Sequence, residues 1–262
     1  MKGTFLDKVI EESRKRVAVR SRETDMRKVR GEAEVIRGKA APHAFYAAIA
    51  RAGRINIIAE FKRASPSKGV INDRIGVCET VQAYERGGAA AISVLTEPEH
   101  FKGSLDDLAI ARASVSLPLL RKDFLVDEYQ IHEAAICGAD AVLLIVAALS
   151  EVELQRMLAT ADGLGMDAIV EVHTAEELMM ANNVGAKIVG VNNRDLQTLA
   201  VSLDVARNLI KERPGNALMI AESGLSSRSE IDELRSLGYD GFLIGETLMR
   251  SGDPAAALEE LA

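Results

Sequence analysis

A chain of 262 residues and 28.2 kDa, 48% hydrophobic and 27% charged, is long enough for one large soluble domain with a sizeable core. Its net charge of -7 and pI near 5.3 argue against a general nucleic-acid or anionic-membrane binder, whose footprint is a basic face. Two cysteines, Cys78 and Cys137, are too few for a disulfide framework, and four histidines stand without ligand spacing, so a reduced cytoplasmic setting and no metal site are expected.

Charges recur from Lys2 through Arg22 with no uninterrupted apolar segment, which argues against a signal peptide or a membrane span there. Phe5, Leu6, Val9, Ile10 and Val17 fall near helical spacing and predict an amphipathic helix over Phe5 to Arg20. A charged segment from Ser21 to Lys39 leads to Pro42. After Pro42, His43 to Ala50 reads as a short helix with Phe45 and Ile49 on one side. Residues 1–50 are therefore expected to be a helical extension covering one end of the domain.

From Ile55 onward a short Val/Ile/Leu/Ala run followed by a longer amphipathic stretch recurs. The runs are Ile55 to Phe61, Ala90 to Val94, Leu117 to Leu120, Ala141 to Val146, Asp167 to Val170, Ile188 to Val191, Ala217 to Ala221 and Phe242 to Ile244. Helices are read over Val77 to Arg86, Asp127 to Cys137, Glu151 to Leu164, Ala175 to Asn182, Val205 to Lys211 and Arg228 to Leu237. Gly87, Gly138, Gly185 and Gly238 sit where a left-handed helix end is wanted. Such β/α units fit an open doubly wound sheet or a closed (β/α)8 TIM barrel. Closure is favoured, because no GxGxxG follows the first strand and polar residues end strands along the whole chain. The expected fold is one (β/α)8 barrel over residues 1–262, extension included.

The stretch NIIAEFKRASPSKG, Asn56 to Gly69, carries Glu60 and Lys62 two residues apart at a strand end. Period-2 alternation turns both inward while Phe61 points out with Ile57 and Ala59. Lys122 follows the third strand, Glu171 the fifth, Asn192 and Arg194 the sixth, Glu222 and Ser223 the seventh. Any one of these could be a cap or a surface residue. In a barrel all of them meet at one mouth, where buried charge is expensive unless used. Glycine-bearing loops after the last two strands, at Glu222 to Gly224 and Ile244 to Glu246, stand where such barrels commonly hold a phosphate on backbone amides. Lysines and carboxylates in such a mouth suit general acid and base work, and a lysine there could equally form a Schiff base.

The ordered phrases AEFKRASPSKG (Ala59 to Gly69), ISVLTE (Ile92 to Glu97), FKGS (Phe101 to Ser104), LLRKDFLVDEYQI (Leu119 to Ile131), GADAVLLIV (Gly138 to Val146), IVEVH (Ile169 to His173), VGVNNRDL (Val189 to Leu196), AESGL (Ala221 to Leu225) and FLIGETLM (Phe242 to Met249) closely resemble the indole-3-glycerol phosphate synthase family over nearly the whole chain. The resemblance implies closure of the pyrrole ring of 1-(2-carboxyphenylamino)-1-deoxyribulose 5-phosphate, with loss of carbon dioxide and water and without metal or organic cofactor. It implies Lys122 as the acid on the substrate carbonyl and Lys62 and Glu171 in the later proton transfers. Glu60, Asn192 and Ser223 would position and polarise, and Ser65, Arg194 and Glu222 would contact substrate. Phe101, Phe124 and Leu143 would line the slot for the anthranilate ring, and Lys62, Gly224, Gly245 and the Glu246 amide would take the phosphate. The loop from Arg63 to Gly69 is expected to close over the substrate. A small-molecule substrate is thus expected, with no nucleic-acid or membrane partner, and the length leaves no room for a fused isomerase domain. Two other readings stay open: a sugar-phosphate isomerase like phosphoribosylanthranilate isomerase, and a non-catalytic barrel that binds a ligand.

Overall fold

The computed structural model describes residues 4–72, 75–195 and 198–262; Leu196, which ends the phrase VGVNNRDL, lies outside them. Eight strands pair in parallel and in sequence order, and the last closes on the first: β1 Ile57–Phe61, β2 Ala91–Leu95, β3 Leu119–Lys122, β4 Ala141–Ile145, β5 Asp167–Val172, β6 Ile188–Asn192, β7 Leu218–Glu222 and β8 Gly241–Ile244. This is the (β/α)8 barrel.

Alternation along the strands sorts their apolar residues into two layers. Ile57, Ala59, Phe61, Ile92, Leu119, Val142, Val170, Val189, Met219 and Phe242 pack outward against the helices. Ile58, Ala91, Leu120, Leu143, Ile169, Ile188, Ile220 and Leu243 fill the barrel. Stepping the inward series of β1, β3, β5 and β7 two residues towards the strand's C-terminus gives Glu60, Lys122, Glu171 and Glu222, and in β6 Gly190 and then Asn192, while β2, β4 and β8 give Ser93, Ile145 and Gly245. The site therefore continues the core pattern: the same face that is aliphatic inside the barrel becomes charged at its mouth.

Around the strands lie α4 Val77–Arg86, α5 Leu105–Ser114, α6 Glu128–Ile136, α7 Glu151–Gly163, α8 Ala175–Asn183, α9 Asp204–Leu209 and α10 Arg228–Leu237, and after β8 come α11 Glu246–Arg250 and α12 Pro254–Leu261. Capping boxes start α6 at Asp127, α7 at Ser150 and α10 at Ser227, satisfying amides that have no partner within the helix. Left-handed glycines end helices at Gly138, Gly185 and Gly238, with φ of 84°, 75° and 116°. After α4 the left-handed residue is Gly88 at φ 83°, while Gly87 keeps φ -73°. β3 begins at Leu119, two residues later than its apolar run, because Pro118 has no N–H for the ladder and only its carbonyl is used, by Ile92.

The charged segment after Arg20 is helical. α1 spans Phe5–Glu23 and α2 spans Met26–Arg37, with Val17, Val29 and Tyr129 of α6 packed between them. The short helix is α3, Ala44–Ile49. The extension does not cover one end but touches both. Phe5, Val9 and Ile10 of α1 join Phe124 at the C-terminal end of the strands, and Ser13 donates to the Phe124 carbonyl at 2.7 Å. α3 plugs the opposite end: the Asp167 carboxylate at the start of β5 accepts from the Tyr46 amide at 2.8 Å, and Asn56 donates to the carbonyls of Ile49 and Asp240. α2 is pinned between them by Arg37, whose buried guanidinium donates to the carbonyls of Ala139, Leu164 and Gly165 and pairs with Asp140 at 3.0 Å.

Candidate active site

One cavity of about 600 Å³ opens at the C-terminal ends of the strands. Every site residue expected from the sequence lines it: Glu60, Lys62, Ser65, Phe101, Lys122, Phe124, Leu143, Glu171, Asn192, Arg194, Glu222, Ser223, Gly224, Gly245 and Glu246. Lys62 Nζ donates to Glu60 Oε1 at 2.6 Å, as inward alternation requires of residues two apart. Lys122 Nζ donates to Glu171 Oε2 at 3.2 Å and to Glu222 Oε2 at 3.0 Å. Asn192 Nδ2 donates to Glu171 Oε1 at 3.1 Å, so the carboxylate of Glu171 is held at both oxygens.

These charges are buried, and their neighbours decide their protonation. Burial works to lower the Lys122 ammonium, but the charges of Glu222, Glu171 and Glu60 outweigh it and hold the group above the ordinary lysine value. Burial works to raise Glu171, and Lys122, His173 and the Asn192 hydrogen bond bring it below the ordinary glutamate value. Burial raises Glu222 to about 7, against the pull of Lys122 and with help from the Glu171 charge. The mouth thus holds a firm ammonium, a firm carboxylate and a carboxyl poised near neutrality.

Two glycines make room for these acids. A Cβ at Gly190 in β6 would sit 2.1 Å from Glu222 Oε1, and one at Gly245 would sit 2.4 Å from Glu60 Oε1. The seventh loop is tightly wound: Ser223 and Gly224 both take positive φ, 65° and 82°. Gly224 belongs there on conformation and on space, since a Cβ would lie 2.6 Å from Val201 Cγ1.

Aromatic rings form the apolar wall. Phe101 and Phe124 have centroids 6.2 Å apart, and Phe5 stands edge-on to Phe124 at 6.4 Å. Phe101 is presented by a loop folded around the buried carboxylate of Glu97, which accepts from the amides of Glu99, His100 and Phe101. Phe124 is set by a network beneath it: buried Arg121 donates to Thr96 Oγ1, the Gln130 carbonyl and Asp123 Oδ2, and Asp123 Oδ1 accepts the Phe124 amide at 2.8 Å. The loop after β1 forms a small hairpin, Ala64–Ser65 with Gly69–Val70. Arg63 anchors it by a two-pronged pair with Asp107, at 2.6 and 2.8 Å, while its tip meets the loop after β6 through Arg194 Nη1 to Ser67 Oγ at 3.1 Å. Ser65 Oγ is buried in the cavity wall with no hydrogen-bond partner among the described residues.

Sequence reasoning missed Phe5, Asp123, Thr247 and Arg250 among the lining residues, and it placed Ser67 and Lys68 only within the Arg63 to Gly69 loop. Arg250 and Lys68 both face the Glu246 carboxylate, at 3.1 and 3.8 Å. The helical spacing that includes Phe5 shows only that it is buried. Its partners, Phe124 and His100, are a hundred residues away and become visible only in the fold. Among the described residues, Glu12, Glu97 and His100 bring ligand-type atoms within 4.8 Å of one another beside the mouth. Glu97 is already taken by three amides and lies 3.7 Å from Arg16, so this cluster reads as an anchor of α1 on the second loop.

Comparison with known proteins places this geometry. The family model described as indole-3-glycerol phosphate synthase matches residues 6–261. A protein named indole-3-glycerol phosphate synthase from Carboxydothermus hydrogenoformans is 45% identical over 263 residues, covering 98% of this chain and 99% of that protein. One of the same name from Mycolicibacterium vanbaalenii is 46% identical over 259 residues, covering 99% of this chain and 94% of that protein. Among solved structures, 3-hexulose-6-phosphate synthase from Salmonella typhimurium aligns with a TM-score of 0.63 at 14% identity, over 79% of this chain and 96% of that one. Thiamine phosphate pyrophosphorylase from Pyrococcus furiosus aligns with a TM-score of 0.59 at 18% identity, over 79% of this chain and 93% of that one, and both likenesses speak for the fold alone.

Proposed function

The chain belongs to the indole-3-glycerol phosphate synthase family, and from that premise we propose how its mouth carries out the reaction. The enzyme closes the pyrrole ring of 1-(2-carboxyphenylamino)-1-deoxyribulose 5-phosphate to give indole-3-glycerol phosphate, releasing carbon dioxide and water, in tryptophan biosynthesis. The observation that carries the assignment of roles is the Lys122 ammonium held between Glu171 and Glu222 at 3.2 and 3.0 Å on the floor of the cavity.

Lys122 is the acid. The aromatic carbon that bears the carboxylate attacks the ketone carbon, and Lys122 gives its proton to the ketone oxygen as that bond forms. Loss of carbon dioxide returns an electron pair to the ring. The new hydroxyl then leaves as water, pushed by the ring nitrogen and protonated by an acid. A base removes one of the two protons on the former methylene carbon, and the indole results. Lys62 and Glu171 share these later transfers: Lys62 is the second ammonium in the mouth, and Glu171 is the carboxylate that its neighbours keep ionised. Asn192 orients Glu171, and Glu60 holds Lys62. Ser223 polarises the reacting oxygen from the loop after β7, and Glu222 sets the charge on Lys122.

The anthranilate ring lies against Phe101, Phe124 and Leu143, with Phe5 closing the slot from the extension. The phosphate sits at the amides of Gly224, Gly245 and Glu246 near Lys62, and the glycines let it approach the backbone. Ser65, whose hydroxyl has no partner among the described residues, and Arg194 reach the substrate from the loops after β1 and β6. We read residues 1–262 as one barrel unit with 1–50 as its extension. The net charge of -7 and the free cysteines Cys78 and Cys137 support a cytoplasmic enzyme without a nucleic-acid partner. No described helix is long and apolar enough to cross a membrane.

The test is turnover by the purified chain of the carboxyphenylamino ribulose phosphate, read by indole fluorescence, beside phosphoribosylanthranilate as the isomerase substrate. Product from the first and none from the second is expected. Isomerisation of the second, or no turnover of either, rejects the reading.

A further inference from the structure

His173 follows β5 and precedes α8, and its ring stands behind Glu171, outside the set of side chains that line the cavity. Glu177, one turn into α8, accepts the His173 amide at 2.6 Å and lies 3.3 Å from His173 Nδ1 through the same oxygen. On the other side of the ring, Nε2 lies 3.5 Å from Glu171 Oε1. That nitrogen is buried and has no hydrogen-bond partner among the described residues, which is costly unless the carboxylate it faces compensates it. An imidazole with a carboxylate at each nitrogen is most favourable when both nitrogens carry protons.

We propose that His173, anchored at Nδ1 by Glu177, is a positioning residue for Glu171, its Nε2–H standing against Oε1 and keeping that carboxylate turned to Lys122 and free of its own proton. Glu171 is then held by Asn192 and His173 at one oxygen and by Lys122 at the other. The charged groups around the pair are Lys122 on β3, Glu222 on β7 and Glu177 on α8. Burial works against the imidazolium, but Glu177, Glu171 and Glu222 outweigh it and raise His173 above the ordinary histidine value, while His173 is among the groups that lower Glu171. The device is a relay of acid, imidazole and acid behind the base, and it rests on the role given to Glu171 above.

Two measurements test it. The first is the pH profile of kcat for His173→Asn and Glu177→Gln. Loss of the cation raises the Glu171 carboxyl, so the base form is lost at higher pH, and the acidic limb should move up by about half a unit to one unit in His173→Asn. A smaller movement in the same direction is expected in Glu177→Gln. A fall in rate that is parallel at every pH, or an acidic limb unmoved in both variants, overturns the proposal. The second needs no turnover and stands if His173→Asn fails to fold. Coupling between the two groups is reciprocal, so the NMR titration of the His173 ring should have a lower midpoint in Glu171→Gln than in the parent, by about half a unit or more. Equal midpoints overturn the proposal. Parent turnover on the substrate separates this outcome from failure of the functional reading itself.

Discussion

Lys122 Nζ donates to Glu222 Oε2 at 3.0 Å, joining the last residue of β3 to the last residue of β7 across the full width of the barrel mouth. Three strands lie between them either way around, so only a closed barrel lets the two meet. The contact explains why a buried lysine keeps its proton: two glutamates at hydrogen-bond distance outweigh the cost of taking the ammonium out of water.

Removing that partner should change the acid more than the fold. In Glu222→Gln the Lys122 ammonium loses its nearest opposing charge, its proton is held less tightly, and the basic limb of the kcat profile should move to lower pH. Turnover at neutral pH should fall about tenfold or more. A pH-rate profile of the variant beside the parent checks both the direction and the size.

The same substitution has a signature in stability. Glu222 titrates near 7 when folded and at 4.5 in its ordinary state, so between these values the folded chain binds more protons than the unfolded one. The contribution of this group therefore favours folding at low pH and is lost as pH rises through about 7. Urea unfolding at pH 5 and pH 8 should show the parent losing stability relative to Glu222→Gln across this window, by about 3 kcal/mol at most. A difference independent of pH would contradict the assignment.

Gly190 offers a probe that adds only a methyl group. Its Cβ would meet Glu222 Oε1 at 2.1 Å and Ile169 Cγ2 at 2.8 Å, so the Glu222 carboxylate must shift to admit it. Gly190→Ala should cost about 1 to 3 kcal/mol in urea unfolding and, by pushing Glu222 aside, should reduce kcat as well. Parent-like turnover at full stability would mean that Glu222 can move without consequence.

Arg37 carries the opposite expectation, a cost in stability without a cost in chemistry. Arg37→Met removes a buried guanidinium that serves four carbonyls and one oxygen of Asp140, leaving Asp140 to Arg112 and the Leu119 amide. A loss of about 3 kcal/mol or more is expected, while kcat per folded molecule below the unfolding transition stays that of the parent. Chemical denaturation combined with active-site titration separates the two.

Much of this was legible in the chain itself, because a strand's alternation has no freedom: once Ile58 is inside, Glu60 and Lys62 are inside, and the 2.6 Å pair follows. The aliphatic-to-charged step at Lys122, Glu171 and Glu222 was visible for the same reason. What stayed hidden depends on partners distant in sequence. The patterns of α1 and α3 said that each buries a face and not that one meets the mouth and the other the opposite end. Gly190 looked like a small residue in an apolar run until Glu222 was placed beside it. His173 was one histidine among four without spacing, and only the turn from β5 into α8 puts it between two carboxylates. Arg121 drew no reading from the sequence, and the fold buries it under the loop that carries Phe124.

The most direct test of the account is turnover of the carboxyphenylamino ribulose phosphate by Lys122→Met measured beside the parent, with near-UV circular dichroism to show that the variant is folded. If Lys122 supplies the proton that makes the ketone accept the aromatic carbon, the rate should fall by about a hundredfold or more in a protein with the parent's spectrum. A folded variant that still turns over within a few-fold of the parent would contradict it.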